Sequence, residues 1–218
     1  MIDMVTAMII LAHRGYWKKP EEKNTLEAFK AAFESGYGVE TDVRDFKGDL
    51  VISHDVPSEG NLSFDDFLKL YVSINSNTPL ALNIKSDGIQ SLLMQYMDKY
   101  HIASENYFVF DMSVPEQVVY VKQRFPAFTR QSEFELTPVM YECANGVWMD
   151  EFEQEWISED IIRSHLENRK RISIISPEIH HRDERQLWKI LDVFKNEADL
   201  MLCTDIPKKA EDFFHEKD

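Results

Sequence analysis

Short apolar runs alternate with stretches of mixed polarity along the whole chain. Most of these runs have the length of a buried strand. The stretches between them place apolar side chains three and four residues apart, as on one face of a helix. We therefore expect strands over residues 8–12, 39–43, 80–84, 107–110, 127–129, 146–149, 172–175 and 200–203.

Residues that favour helix ends stand at the start of several mixed stretches. Asn24 is expected to cap a helix whose apolar face is formed by residues 26, 29, 32 and 33. Ser63, with Asp66 three residues later, predicts a second helix start, and Pro115 suits the first turn of another helix. Further helices are expected over residues 90–100, from residue 158, over 184–194 and from residue 207.

The alternation of strands and helices predicts an α/β fold with a parallel sheet. Eight strand–helix units in 218 residues argue for a single (β/α)8 TIM barrel with a minimal insertion. We expect residues 1–218 to form one domain, with the fifth unit showing the weakest pattern.

Composition narrows the range of partners. The net charge is −15, from 24 basic and 39 acidic residues, which argues against a nucleic-acid surface or an anionic membrane face. The chain has no apolar run of the roughly 20 residues that a membrane span needs. Two cysteines do not form a disulfide framework, and Asp3 stands where a signal peptide would carry positive charge. We expect a soluble cytoplasmic protein.

Two carboxylates interrupt the second predicted strand. Glu40 and Asp42 are two residues apart and so point to the same face of the strand. Because helices cover the outside of a parallel barrel, this face is not solvated, and the carboxylates repel each other unless a cation lies between them. Oxygen ligands favour Mg²⁺, Ca²⁺ or Mn²⁺ over zinc. The pair therefore predicts a divalent metal site.

Two histidines also stand at the ends of apolar runs. His13 begins the sequence His13-Arg14-Gly15 directly after the first run, and His54 is followed by Asp55. A lone histidine in such a place is commonly a structural residue. Two histidines flanking a carboxylate pair instead favour catalysis, because imidazole transfers protons near neutral pH.

These motifs, in this order, resemble the glycerophosphodiester phosphodiesterase family, a branch of the phosphatidylinositol phospholipase C-like barrels. The resemblance rests on His13-Arg14-Gly15, Asn24-Thr25, Glu40-Thr41-Asp42-Val43, His54-Asp55 and the final Cys203-Thr204-Asp205-Ile206-Pro207. It is strong over residues 8–55 and faint from there to residue 207. The chain departs from the family pattern at Glu22-Lys23, which interrupt the second motif, and at Asn83-Ile84-Lys85, where the family carries Glu in place of Asn.

The resemblance implies a phosphodiesterase site with named roles. His13 and His54 would be the acid and base, in an order that the sequence leaves open. Glu40, Asp42 and Asn83 would hold the metal, and Arg14 and Lys85 would contact the phosphate. Asn83 lacks the charge of a carboxylate, so we expect weaker metal binding, with Asp111, Asp150 or Glu178 as alternative third ligands. For each of these three taken singly, a solvated loop role is the favoured interpretation.

The leading functional hypothesis is a metal-dependent phosphodiesterase that hydrolyses a glycerophosphodiester or a similar small polyol phosphodiester. The short stretch between Asp55 and Asn83 leaves the specificity open, including phosphoinositide or sugar phosphodiesters and a cyclic phosphate as first product. The main alternative is a barrel that binds a phosphorylated ligand or a partner protein without turnover, which Asn83 favours. An unrelated barrel hydrolase or lyase is a third hypothesis.

Overall fold

A computed structural model of the chain describes residues 7–215. The strands are β1 (Ile9–His13), β2 (Gly38–Phe46), β3 (Asp49–Ile52), β4 (Leu62–Ser63), β5 (Leu80–Ile84), β6 (Tyr107–Phe110), β7 (Phe128–Ser132), β8 (Gly146–Asp150), β9 (Arg171–Ile175) and β10 (Leu200–Thr204). The helices are α1 (Leu26–Glu34), α2 (Phe64–Ser73), α3 (Gln90–Lys99), α4 (Val114–Lys122), α5 (Glu159–Glu167), α6 (Arg185–Asp192) and α7 (Pro207–His215). Among these helices of residues 7–215, none combines the length and apolar character that a membrane crossing requires.

The chain divides into two compact units, the first comprising residues 12–128. In this unit β2 runs parallel to β5, and β5 runs parallel to β6. On its other side β2 pairs antiparallel with β3, which pairs in turn with the short β4. The turn between β2 and β3 uses left-handed backbone at Lys47 and Gly48, as a tight hairpin requires. Strand β2 is therefore flanked on both sides within this unit.

The second unit comprises residues 129–215 together with residues 7–11 in the described part of the chain. Its strands lie in the order β1, β10, β9, β8 and β7. Residues 200–203 of β10 run parallel to residues 172–175 of β9, and β9 runs parallel to β8. Cys203 is a buried free thiol in this sheet.

All eight predicted strands are present, with ends shifted by at most three residues. The expectation of a helix in every unit is wrong in the fifth. Between β7 and β8, residues 133–145 hold a single 3-10 turn, Tyr141–Cys143, and no α-helix. The single-domain boundary at residues 1–218 stays a prediction.

Helix α1 packs on helix α2 through aromatic side chains and is capped at its N-terminus by a side chain. Its apolar side packs on α2, with ring centroids 4.7 Å apart for Phe29 and Phe67 and 5.2 Å apart for Phe33 and Tyr71. The prediction that Asn24 caps this helix is wrong, because the Thr25 side chain accepts the hydrogen bond from the helix amide. Asn24 is therefore available for another role.

Candidate active site

The acidic side chains of β2 lie at the centre of the candidate site. Glu40 and Asp42 are buried, at 2% and 0% exposure, and point to the same face of the strand. The register of the parallel β2–β5 pair places Asn83 directly opposite Asp42. Asn83 is also buried. Three oxygen-bearing side chains are thus adjacent in the first unit.

One oxygen atom of each of these side chains is buried without a hydrogen-bond partner in the described part of the chain. These atoms are Glu40 Oε2, Asp42 Oδ1 and Asn83 Oδ1. A buried acceptor without a hydrogen bond lowers the stability of the fold. Three such oxygens side by side therefore indicate a binding site for a cation. The donor set is hard oxygen, which suits Mg²⁺, Ca²⁺ or Mn²⁺. Within residues 7–215 no group of three or more His, Cys, Asp or Glu side chains is placed to bind a metal, so the candidate set is two carboxylates and one amide.

Burial, and after it the charge of Asp42, raise the pKa of Glu40 to about 8. Arg14 and Lys85 act in the opposite direction, as does a hydrogen bond from Asn83. The desolvated site thus resists holding two negative charges side by side unless positive charge is added.

Two cations of the chain contact Asp42. Arg14 Nε lies 3.1 Å from Asp42 Oδ2, and Lys85 Nζ lies 3.8 Å from Asp42 Oδ1. Lys85 Nζ also donates to Asp111 Oδ2 at 3.0 Å. The neutral Asn24 side chain also contacts Asp42: its Nδ2 donates to Asp42 Oδ2 at 3.1 Å, and its Oδ1 accepts from the Thr41 hydroxyl at 2.9 Å. The predicted phosphate-binding residues, Arg14 and Lys85, therefore converge on one carboxylate.

The end of β1 approaches the site closely because of one glycine. The Arg14 amide donates to the Glu40 carbonyl at 2.8 Å. Gly15 follows with φ of +93°, and a Cβ at this position would lie 2.8 Å from both Cβ and the carbonyl carbon of Ala28. The glycine of the His-Arg-Gly sequence thus allows helix α1 to pack against the strand end that carries Arg14.

Three polar residues around Asp42 and Lys85 adopt left-handed backbone. The φ angles are 57° at Arg14, 60° at Asn24 and 69° at Asp111. This conformation is unfavourable for residues other than glycine, and such residues cluster at functional sites. Each of the three directs a side chain to a charged partner described above.

The two predicted catalytic histidines have different surroundings. His13 is 9% exposed, and its Nε2 lies 3.8 Å from Glu40 Oε2. His54 is exposed, and its Nδ1 lies 2.9 Å from Asp55 Oδ1. His54 shares with Arg14 the lining of a cleft of about 740 Å³, together with Lys23, Ser58 and Asn61. The side chain of His54 is therefore placed at a cleft beside Arg14, whereas His13 lies at the carboxylates.

The alternative third ligands are engaged elsewhere. Asp111 pairs with Lys85, as described above. In the second unit, Asp150 Oδ1 accepts from His180 Nε2 at 2.7 Å. Glu178 accepts from the Thr204 hydroxyl at 2.5 Å and from the Asp205 amide at 3.1 Å. Asp150 and Glu178 thus have partners within the second unit, and Asp111 is linked to Asp42 through Lys85.

Similarity to known proteins appears at the level of three-dimensional structure. No protein-family model and no curated protein matches the sequence. A glycerophosphodiester phosphodiesterase from Parabacteroides distasonis ATCC 8503 has a TM-score of 0.70 at 16% identity, over 97% of this chain and 98% of that one. An Oleispira antarctica phosphodiesterase, solved with its product sn-glycerol-3-phosphate, has a TM-score of 0.70 at 12% identity, over 95% and 96%. A Ca²⁺-dependent phosphatidylinositol-specific phospholipase C from Streptomyces antibioticus has a TM-score of 0.56 at 12% identity, over 95% and 96%.

These structures cover nearly the whole chain and have the same fold. The predicted α/β fold of the (β/α)8 TIM-barrel class is confirmed, with the exception of the fifth helix. The resemblance to glycerophosphodiester phosphodiesterases is confirmed for the fold, and the low identity agrees with a divergent sequence.

Proposed function

We propose that this chain is a divalent-cation-dependent phosphodiesterase that hydrolyses a small phosphodiester, such as a glycerophosphodiester, to an alcohol and a phosphomonoester. The observation that carries the proposal is the set of three buried oxygens on Glu40, Asp42 and Asn83 that accept no hydrogen bond from the described residues, with Arg14 and Lys85 beside Asp42. The enzymes of the same fold support this reaction class.

Phosphodiester hydrolysis requires charge neutralisation, deprotonation of a nucleophile and protonation of the leaving alkoxide. Glu40, Asp42 and Asn83 would hold the cation, which when bound supplies Lewis-acid stabilisation of phosphoryl charge. Arg14 and Lys85 provide directional N–H donors for the phosphoryl oxygens. His13 and His54 are the proposed proton-transfer pair.

The cleft beside Arg14 and His54 supports a small polar substrate. Lys23, Ser58 and Asn61 contribute hydrogen-bonding groups to its lining, and its volume lies within the range of small-molecule sites. We propose that the alcohol portion of the phosphodiester occupies it. The Oleispira antarctica enzyme was solved with sn-glycerol-3-phosphate, which makes this compound the first ligand to test.

The test is hydrolysis of a panel of small phosphodiesters with Mg²⁺, Ca²⁺ or Mn²⁺, and with EDTA. We expect turnover that depends on the cation and is lost in Glu40→Gln and Asp42→Asn. Asp45→Asn is the matched control, because Asp45 lies on the same strand and is exposed. Turnover that persists in EDTA would refute the cation dependence. Binding of sn-glycerol-3-phosphate without turnover of any diester would instead favour a binding protein.

A further inference from the structure

Arg44 lies on β2 two residues beyond Asp42 and on the same face as the two carboxylates. Its guanidinium donates three hydrogen bonds to backbone carbonyls. Nη2 and Nε reach the carbonyl of His54 at 3.0 and 3.2 Å, and Nη1 reaches the carbonyl of Lys85 at 3.1 Å. The half-buried Arg44 side chain thus binds the backbone of both His54, the proposed proton-transfer residue, and Lys85, the proposed phosphate-binding residue.

The position of Arg44 explains why it reaches both. β2 lies between β3 and β5, and its residue Val43 is paired with the last residue of each, Ile52 of β3 on one side and Ile84 of β5 on the other. His54 and Lys85 follow just after these last paired residues. The Ser53 amide still donates to the Asp42 carbonyl, and the Lys85 amide still donates to the Val43 carbonyl. Beyond these residues the strand pairing no longer holds the backbone at His54 and Lys85. The hydrogen bonds from Arg44 hold it there instead.

Resting on the proposed function, we propose that Arg44 is a positioning residue that fixes His54 and Lys85 relative to each other for phosphodiester hydrolysis. The task suits arginine because the guanidinium presents its donors in a rigid planar fork and can bond two carbonyls at once in a fixed geometry. A lysine ammonium is a point charge on a flexible stem and lacks this fork. Arg44 does not contact the substrate in this proposal.

The test compares Arg44→Met and Arg44→Lys with Arg163→Met, which removes an exposed guanidinium from helix α5. We expect kcat to fall at least tenfold in both Arg44 variants, with a smaller change in KM, and to stay unchanged in Arg163→Met. The NMR signals of the His54 ring should shift in the Arg44 variants. Arg44→Lys retains the charge and the aliphatic stem, so it keeps the test valid where Arg44→Met folds poorly.

Wild-type kcat per folded molecule in Arg44→Lys, together with unchanged His54 signals, would overturn the positioning role. A loss of activity that only follows the loss of folded protein, measured by circular dichroism, would overturn it as well. Absence of turnover in the wild-type chain refutes the proposed function, whereas wild-type turnover with unaffected Arg44 variants refutes only the role of Arg44.

Discussion

The close approach of Gly15 to helix α1 leads to a quantitative prediction. In Gly15→Ala, the new methyl group would lie 2.8 Å from two carbon atoms of Ala28. The chain offers a matched control in Gly36, which ends the same helix with φ of +80° and has open space where its Cβ would stand. Both substitutions place alanine in left-handed backbone, and only the first adds a steric overlap.

The two contributions can be estimated separately. Left-handed backbone costs an alanine roughly 1–2 kcal/mol, which both variants share. Overpacking adds roughly 1–3 kcal/mol in Gly15→Ala, because carbon atoms prefer separations of about 3.5–4.0 Å. We therefore expect Gly36→Ala to lower the free energy of unfolding by about 1–2 kcal/mol and Gly15→Ala by about 2–5 kcal/mol. At this chain length each kcal/mol corresponds to a Tm decrease of about 2–4 °C.

Equilibrium urea unfolding followed by circular dichroism measures both values, and thermal unfolding checks their order. The comparison is informative only if the two variants have the same m-value, since a changed slope indicates a different unfolded or native state. Equal losses of unfolding free energy in the two variants would refute the reasoning. Such a result would mean that α1 moves away from the strand end without cost.

Three further predictions concern the acidic site. Asn83→Glu adds a third carboxylate and is expected to tighten divalent-cation binding by about 1–3 kcal/mol in titration calorimetry; unchanged affinity would mean that position 83 does not face the cation. Because the pKa of Glu40 is raised to about 8, its stabilising contribution is complete below pH 4.5 and is lost as the pH rises towards 8. In EDTA, Glu40→Gln should therefore become increasingly more stable than wild type from pH 5 to pH 8, and a constant difference in urea unfolding contradicts this. Asn24→Gly keeps left-handed backbone but removes the hydrogen bonds to Thr41 and Asp42, so we expect a loss of about 1–3 kcal/mol in unfolding free energy; wild-type stability would show that these bonds contribute nothing.

The strands could be predicted from the sequence because a buried parallel strand is a continuous apolar run. β5 and β6 were expected with the bounds that the structure shows. No α-helix forms in the fifth unit although Leu136, Val139, Met140 and Cys143 have helical spacing, since Pro138 stands among them and Met140 adopts left-handed backbone. Local pattern therefore determines an element where an apolar run is continuous and fails where a backbone constraint interrupts the periodicity.

The proximity of Glu40 and Asp42 follows from one strand and that of Asn83 from the family resemblance, whereas the contacts of Asn24 and of Lys85 with Asp111 were not anticipated. Glu40 and Asp42 share a face by strand geometry alone. The contact between Lys85 and Asp111 joins the ends of two strands and depends on their register, which the sequence does not display. Asn24 was assigned to the helix end because Asn and Thr both cap helices, and its left-handed backbone decides in favour of Thr25.

The left-handed residues Arg14, Asn24 and Asp111 have a consequence for the evolution and engineering of this chain. Glycine adopts this backbone without the cost of roughly 1–2 kcal/mol that other residues carry. At Asn24 the hydrogen bonds to Thr41 and Asp42 outweigh this cost, and Asn and Asp tolerate left-handed backbone better than other side chains do. At Arg14 the cost applies in full, so selection for thermal stability alone would favour glycine there and delete a side chain beside Asp42. Natural selection for activity and laboratory selection for stability thus act in opposite directions at this codon, and a stability screen of this protein needs a parallel screen for activity.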